Sequence, residues 1–382
     1  MELMSLKYMG SKRTMLKNGL GDVIDKSIAS APKVYDLFTG SGAVASHIAQ
    51  RYQKAVIAVD LQTFAVVLAK SVLERDSAIA DNSWICRWFA RASAVQDMAM
   101  LKAASDLQES LITLEPEVAA ALARKIATET ENHPITSAYG GYYFSPLQSM
   151  WLDDLRRTLP KVKEHKDIAL ACLVRAASSC AAAPGHTAQP FKANPTAGPF
   201  LIEAWLRNLP KIVRETALFL STQYAKVKGR SFVMDANIAA HDVQEDDLVF
   251  LDPPYSDVHY SRFYHVLETV ARGEVGSIKG SGRYPPQEER PRSDYSLRTQ
   301  SRTALDGLLS TLASRGANVL MTFPAGQASN GLSGAEVIEA SSKHFKLIET
   351  KVTSRLSTLG GDRKHRAARQ DSEELILYLS AK

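Results

Sequence analysis

VYDLFTGSGAVASHIAQRYQKAVIAVD (34–60) decides the fold. It opens on a short apolar run, VYDLF, that stops at the glycine turn Thr39-Gly40-Ser41-Gly42. A helix-like stretch, AVASHIAQRY (43–52), comes next, and then a second apolar run, AVIAVD (55–60). Strand, glycine turn, helix and strand in that order open a doubly wound parallel sheet. Further along, SFVMD (231–235), DLVFLD (247–252), NVLMTF (318–323) and ELILYL (374–379) have the Val/Ile/Leu/Phe content of buried strands. RTALDGLLSTLAS (302–314) reads as the helix before the strand at 318. The fold class expected is α/β, a Rossmann-like sheet.

Between residues 72 and 228 the pattern changes to Ala- and Leu-rich sequence of largely helical period. This block interrupts the sheet between its second and third strands. It predicts an inserted, mainly helical domain at 72–228 within a sheet domain made of 1–71 and 229–382. Within it, residues 95–131 are acidic, with seven Asp/Glu against three Lys/Arg. It also holds the turn-rich HPITSAYGGYYFSP (133–146) and APGHTAQPFKANPTAGPF (183–200).

The 382 residues carry 46 Lys+Arg against 41 Asp+Glu, a formal net charge of +5, which by itself says little about a polyanionic partner. The charge is unevenly placed. Residues 279–302 contribute +3 and residues 351–369 contribute +5, so the remainder sums to −3. An isolated charge run is usually a solvated loop, and the location of these two gives them interest. No apolar run approaches the roughly 20 residues of a membrane span. MELMSLKYMGSKR (1–13) has no hydrophobic core or small-residue cleavage site, so no secretory signal is expected. Cys86, Cys172 and Cys180 are odd in number and far apart. They exclude a disulfide scaffold and a CxxC metal site and fit a reducing cytoplasm. His47 and His186 show no ligand spacing either, so no metal is expected.

The glycine turn alone is ambiguous. GSGAVA fits a G-x-G-x-x-A dinucleotide fingerprint, and Asp60 stands 18 residues after Gly42 at the next strand end, where a carboxylate can accept ribose hydroxyls. An NAD(P)-dependent oxidoreductase is one reading. Asp252-Pro253-Pro254-Tyr255 points elsewhere, because it comes directly after LVFL and therefore lies at the C-terminal edge of a strand, where open α/β sheets bind ligands. The lone pair of an exocyclic nucleobase amine is delocalised into its ring, which makes it a poor nucleophile. Two acceptors, the Asp252 carboxylate and the Pro253 carbonyl, can hold its two N–H groups and localise that lone pair. The Pro-Pro backbone fixes the acceptors, and Tyr255 offers a face on which an extruded base stacks. In-line methyl transfer from a sulfonium then needs orientation and electrostatics, not a metal or a covalent nucleophile.

These residues resemble the D12 class, Dam-type family of N6-adenine DNA methyltransferases, which use S-adenosylmethionine (AdoMet). Lys7-Tyr8-Met9-Gly10-Ser11-Lys12 resembles the family's N-terminal motif at the methionine end of AdoMet. Phe38, Gly40 and Gly42, with Asp36 and Ser41 in the same turn, match its FxGxG motif. The resemblance implies that Asp60 binds the ribose and that Asp235 receives the adenine of AdoMet. It implies that Asp252 to Tyr255 are catalytic. YSRFYHVLET (260–269) is also similar to the segment just after this motif in bacterial adenine methylases. The resemblance covers 5–62 and 230–380, while 72–228 matches only in position, as the family's target-recognition domain.

The resemblance leads to expectations about partners. Double-stranded DNA would be clamped by the insertion and the basic segments, with Arg283, Arg290, Arg292, Arg298, Arg355, Arg363, Lys364 and Arg366 on its phosphates. A monomer is expected, in the cytoplasm, with a cognate restriction endonuclease as a further partner of such a system. Plain structural roles compete at several positions. Lys7 and Lys12 are ordinary surface lysines outside the motif context. Ser11 can simply cap a helix at 12–28, and Asp235 can be a loop carboxylate. His265 and Glu268 read as structural. Tyr139, Tyr142, Tyr143 and Phe144 read equally as core aromatics or nucleic-acid contacts. Cytosine-N4 methylation of DNA, adenine-N6 methylation of RNA and a non-catalytic DNA-binding protein remain open at this level.

Overall fold

The computed structural model describes residues 12–128, 133–354 and 372–382. Lys7, Tyr8, Ser11, Arg355, Arg363, Lys364 and Arg366 lie outside the described residues. The chain divides into two compact units: Tyr8–Ser77, Tyr224–Tyr260 and Pro291–Lys382 form one, and Ala78–Gln223 with Ser261–Arg290 form the other.

The first unit is built on a sheet of seven strands among the described residues: β1 (Lys33–Asp36), β2 (Ala55–Asp60), β3 (Arg230–Val233), β4 (Leu248–Leu251), β5 (Asn318–Pro324), β6 (Lys346–Ser354) and β7 (Ser372–Ser380). Their order is β3-β2-β1-β4-β5-β7-β6, with β1 to β5 parallel and β7 antiparallel to both β5 and β6. This is the doubly wound, Rossmann-like sheet expected from the sequence. The order reverses between β1 and β4, which is where such sheets bind ligands.

Side chains alternate along each strand between two cores, as the twofold pleat requires. On β4, Leu248 and Phe250 join Val34, Val56, Ala58, Leu320 and Ile376 on one face. Val249 and Leu251 join Tyr35, Leu37, Val319, Met321, Leu375 and Leu377 on the other. The helices Leu20–Ser27 and Ala43–Arg51 supply Leu20, Ile24, Val44 and Ile48 to the first core. Ser301–Ser314 and Gly334–His344 supply Leu305, Leu308, Leu309 and Val337 to the second. Burial on both faces explains why β4 reads as an unbroken apolar run.

Four local readings change, the first at SFVMD (231–235), read as a buried strand: it gives β3, the exposed edge strand, which ends at Val233. The helix expected at 12–28 is two helices, Arg13–Lys17 and Leu20–Ser27, separated at Gly19, whose φ of 103° no ordinary residue adopts easily. The stretch read as a basic loop from 351 begins as the last four residues of β6. The run 374–379 is a buried strand as read, but it runs against its neighbour β5.

The second unit is mainly helical. Met98–Ser110, Pro116–Thr128 and Gly198–Trp205 close on a core containing Leu107, Leu111, Ala123, Leu201 and Trp205. Asp97 caps the first of these by accepting from the amides of Ala99 and Met100. Ser145 and Gln148 form a capping box at the start of Pro146–Arg157.

Candidate active site

The glycine turn connects β1 to the helix Ala43–Arg51. Gly40 has φ of 50° and Gly42, the helix's N-cap, has φ of 73°. Both lie in the left-handed region that favours glycine. The turn closes through Gly42 N to Thr39 O at 2.8 Å, and the Thr39 hydroxyl donates to Asp36 O at 3.0 Å. Asp60, at the end of β2, accepts from the Gly40 amide at 2.8 Å with one oxygen and from the Gln62 amide at 2.9 Å with the other. The residue expected to meet a ribose therefore also fastens the turn.

Asp36 ends β1 beneath this turn and is 1% exposed, and one of its carboxyl oxygens has no hydrogen-bond partner among the described residues. Burial pushes its pKa up to about 8, and the neighbouring Asp252 and Asp60 carboxylates push the same way, against the Phe38 and Ala45 amides. A carboxyl with a raised folded-state pKa stabilises the fold below the ordinary carboxylate range, and that contribution is lost as the pH rises through 8. Wild-type melting temperature should therefore fall from pH 5 to pH 9 by several degrees more than that of Asp36→Asn. Parallel pH profiles for the two proteins would refute this account of Asp36.

Asp252 comes directly after β4 at the same edge. One of its oxygens, Oδ1, accepts from the Thr322 hydroxyl of β5 at 2.9 Å and lies 3.0 Å from Lys12 Nζ. Among the described residues Oδ2 has no such partner. Lys12 is 4% exposed and also meets Glu374 at 2.6 Å. Burial works against the Lys12 charge, but Asp252 and Glu374 outweigh it and hold the ammonium above the ordinary lysine range. Burial likewise raises Asp252, and Lys12 opposes that rise. The sequence places Lys12 at a motif whose surface alternative is an ordinary solvated lysine; in the structure it is the buried centre of two carboxylates.

The loop after β4 is fastened by Asn330. Asn330, fully buried, donates through Nδ2 to Pro254 O at 2.9 Å and to Tyr295 O at 3.0 Å, and its amide donates to Tyr255 O at 3.3 Å. The Ser301 hydroxyl holds the Asn330 carbonyl at 3.0 Å. Among the described residues the Pro253 carbonyl, next in sequence to Asp252, accepts no hydrogen bond. Tyr255 packs edge-on against Phe323, with 6.4 Å between ring centroids, and Lys12 Nζ is 6.0 Å from its ring. Phe38 packs edge-on against Tyr295 at 5.0 Å. Asn330→Ala would leave two buried carbonyls short of a donor and should cost on the order of 1–3 kcal/mol of stability, measurable by urea unfolding. A variant as stable as wild type would remove Asn330 from this role.

The remaining expected residues are placed less uniformly. Asp235 accepts from the amides of Asn237 and Ile238, capping the short helix Ala236–Ala239. Asn237 in turn accepts from the Tyr295 hydroxyl at 2.6 Å. In the sheet unit, Arg298 donates to Ser329 O at 2.8 Å and pairs with Asp257 at 3.3 Å, while Arg292 is exposed. In the helical unit, Arg283 donates to the carbonyls of Ser137 and Ala138, and Arg290 is half-buried. Tyr139, Tyr143 and Phe144 are core, and only Tyr142 is partly open to solvent. His265 is buried among Tyr139, Tyr143 and Tyr284, and burial pushes its pKa down to about 4.

Glu374, Thr322 and Asn330 escape the sequence reading. Only Glu374 leaves a trace there, as a carboxylate opening an otherwise apolar run, and its meaning depends on the direction of β7. Because β7 is antiparallel, its first residues lie at the edge where β1, β4 and β5 end, with Glu374 opposite Pro324.

Comparison with known proteins agrees with this arrangement. A family model described as D12 class N6 adenine-specific DNA methyltransferase matches residues 8–87 and 185–293. Those segments contain Lys12, the glycine turn, Asp60, Asp235 and Asp252 to Tyr255; Thr322, Asn330 and Glu374 lie beyond them. The chain is 26% identical over 387 residues to the type II methyltransferase M.FokI of Planomicrobium okeanokoites, covering 98% of this chain and 52% of that protein. It is 25% identical over 313 residues to the modification methylase StsI of Streptococcus sanguinis, covering 81% of this chain and 42% of that protein. The chain thus spans about half the length of the curated relatives it matches. Motif order and the matched segments converge with the sheet on one conclusion: the chain belongs to the D12 class N6 adenine-specific DNA methyltransferase family.

Proposed function

We propose that this protein transfers a methyl group from AdoMet to the N6 amine of an adenine flipped out of duplex DNA. The observation that carries the reading is the pair of acceptors at the end of β4. Among the described residues Asp252 is held by Lys12 and Thr322 through Oδ1 alone, and the Pro253 carbonyl is unengaged while Asn330 occupies the carbonyls of Pro254 and Tyr255. Two fixed acceptors suit an amine with two N–H groups, and Tyr255 stands next in sequence as a stacking face. Their rigidity limits reorganisation on going to the transition state.

The residues around the turn fit AdoMet. Its sulfonium makes the methyl group an electrophile. Among the described residues Asp36 offers a buried carboxyl oxygen without a hydrogen-bond partner, in an edge where Asp60, Asp252 and Glu374 outnumber Lys12. A cationic ligand suits that imbalance better than an anionic dinucleotide does. Gly40 and Gly42 let the backbone approach the ligand, Asp60 would hold the ribose, and Asp235 and Phe38 would bound the adenine. Lys12 would orient Asp252 and restrain its charge.

The test is nuclease digestion of DNA incubated with the protein and AdoMet, then mass spectrometry of the nucleosides. N6-methyladenine is the expected product. N4-methylcytosine, or methylation of RNA alone, would overturn the assignment. Calorimetry with AdoMet and with NAD(H) separates the cofactor classes, and tight NAD(H) binding without AdoMet binding would refute the reading.

A further inference from the structure

In the helical unit four arginines lie over two tyrosine rings. Arg283 and Arg124 share Tyr142, with guanidinium carbons 4.1 Å and 4.5 Å from its centroid. Arg262 and Arg290 share Tyr284, at 5.1 Å and 5.7 Å. Among the described residues none of the four forms an ion pair with a carboxylate. Arg87, Arg157 and Arg207 of the same unit each do, with Asp81, Asp154 and Glu203. The two groups adjoin, because Arg283 and Tyr284 are consecutive on a turn closed by the bridge between Lys279 and Tyr284. That turn is fastened to the core, where the Tyr143 hydroxyl donates to Gly282 O at 2.9 Å and Arg283 donates to Ser137 and Ala138. Arg283 has φ of 52°, a conformation rare for a residue with a side chain.

Burial and the neighbouring Arg262 lower the pKa of Arg290 against Tyr284 and Glu288, and among the described residues its buried Nε has no hydrogen-bond partner. A guanidinium held over a ring is restrained by cation–π attraction and keeps those N–H groups that are not otherwise engaged for a planar or bidentate acceptor. Arg283 spends its edge on carbonyls. Among the described residues Arg124 uses only Nε, on Gly141 O, and Arg262 donates one bond, to the Tyr284 hydroxyl at 3.3 Å.

We propose that these two stacks are a phosphate-binding surface for duplex DNA, in which Arg124, Arg262 and Arg290 bind the phosphates and Arg283 fastens the turn that carries them. The assignment to DNA rests on the function proposed above; the polyanion follows from the stacks alone. Tyr142 is then a platform for cations, not a face for bases, and the phosphate-binding set gains Arg124 and Arg262.

The test is fluorescence anisotropy of the full chain with a labelled duplex across a salt series, with circular dichroism confirming the fold of each variant. The Arg124→Gln/Arg262→Gln double variant should bind on the order of tenfold or more weakly at low salt, with the slope of log affinity against log salt shallower by about two. Tyr284→Leu should weaken binding while keeping the wild-type slope, because the charges remain. Arg87→Gln should match wild type. A double variant with wild-type affinity and slope would overturn the surface, and equal binding of duplex RNA with equal loss would overturn its assignment to DNA. AdoMet binding by the same proteins, measured by calorimetry, distinguishes the failures: wild type that binds DNA but no AdoMet refutes the methyltransferase reading and leaves the surface standing.

Discussion

Asp252→Ala is expected to abolish methyl transfer, by a factor of roughly 10³ or more, while AdoMet affinity stays within about threefold of wild type. The size follows from removing an acceptor fixed before the reaction, for which losses of about 10²–10³ are usual, together with the disturbance of its partner acceptor at Pro253. The retained affinity follows from the site's layout. Asp36, Asp60 and the glycine turn are connected among themselves and to β1 and β2, whereas Asp252 is tied to Lys12 and Thr322. The substitution also leaves no isolated buried charge, since Lys12 keeps Glu374 at 2.6 Å. Single-turnover methylation and calorimetry on one preparation separate the two quantities. Transfer at the wild-type rate would end the catalytic assignment of Asp252; lost AdoMet binding would show that the carboxylate serves the cofactor instead.

The parts legible in the sequence were those whose partners lie close along the chain. The strand–turn–helix–strand at 34–60 needs only local glycine geometry and apolar periodicity, and the Asp-Pro-Pro-Tyr strand end needs only the run before it. What was hidden depends on pairings across hundreds of residues. Glu374 is 362 positions from Lys12, and nothing in EELILYL tells whether the strand runs up or down the sheet. Reversing β7 moves its first carboxylate from the far edge to the catalytic one. Asn330 is illegible for a related reason, because an Asn before Gly in a polar stretch reads as a turn residue. Its function appears only when β4, β5 and the segment at Tyr295 are brought together. The basic 279–302 stretch misleads in another way. Its charge suggested loops reaching for DNA, but Arg283 is committed to carbonyls, and Arg124, from an acidic helical stretch, carries charge that no local count reveals.

Lys12→Met should be the most destabilising single change at this edge, because it turns a compensated buried cluster into a pair of opposed carboxylates. Asp252 and Glu374 share the Lys12 ammonium, and its removal leaves Asp252 without a cation among the described residues. Breaking a buried ion pair by deleting one partner typically costs about 3–5 kcal/mol. The pH dependence identifies the cause. Without Lys12 the Asp252 carboxyl, already raised by burial, loses the charge that opposes that rise, so the variant regains stability as the pH falls and a proton replaces the missing charge. Urea unfolding at pH 8 should show the full deficit relative to wild type, and at pH 5 a clearly smaller one. Glu374→Gln supplies the contrast, since it leaves the Lys12–Asp252 pair intact and should be milder at pH 8. A deficit for Lys12→Met that is constant from pH 5 to pH 8 would mean that the lysine acts through packing of its methylene stem, and the charge-sharing account of this edge would fall.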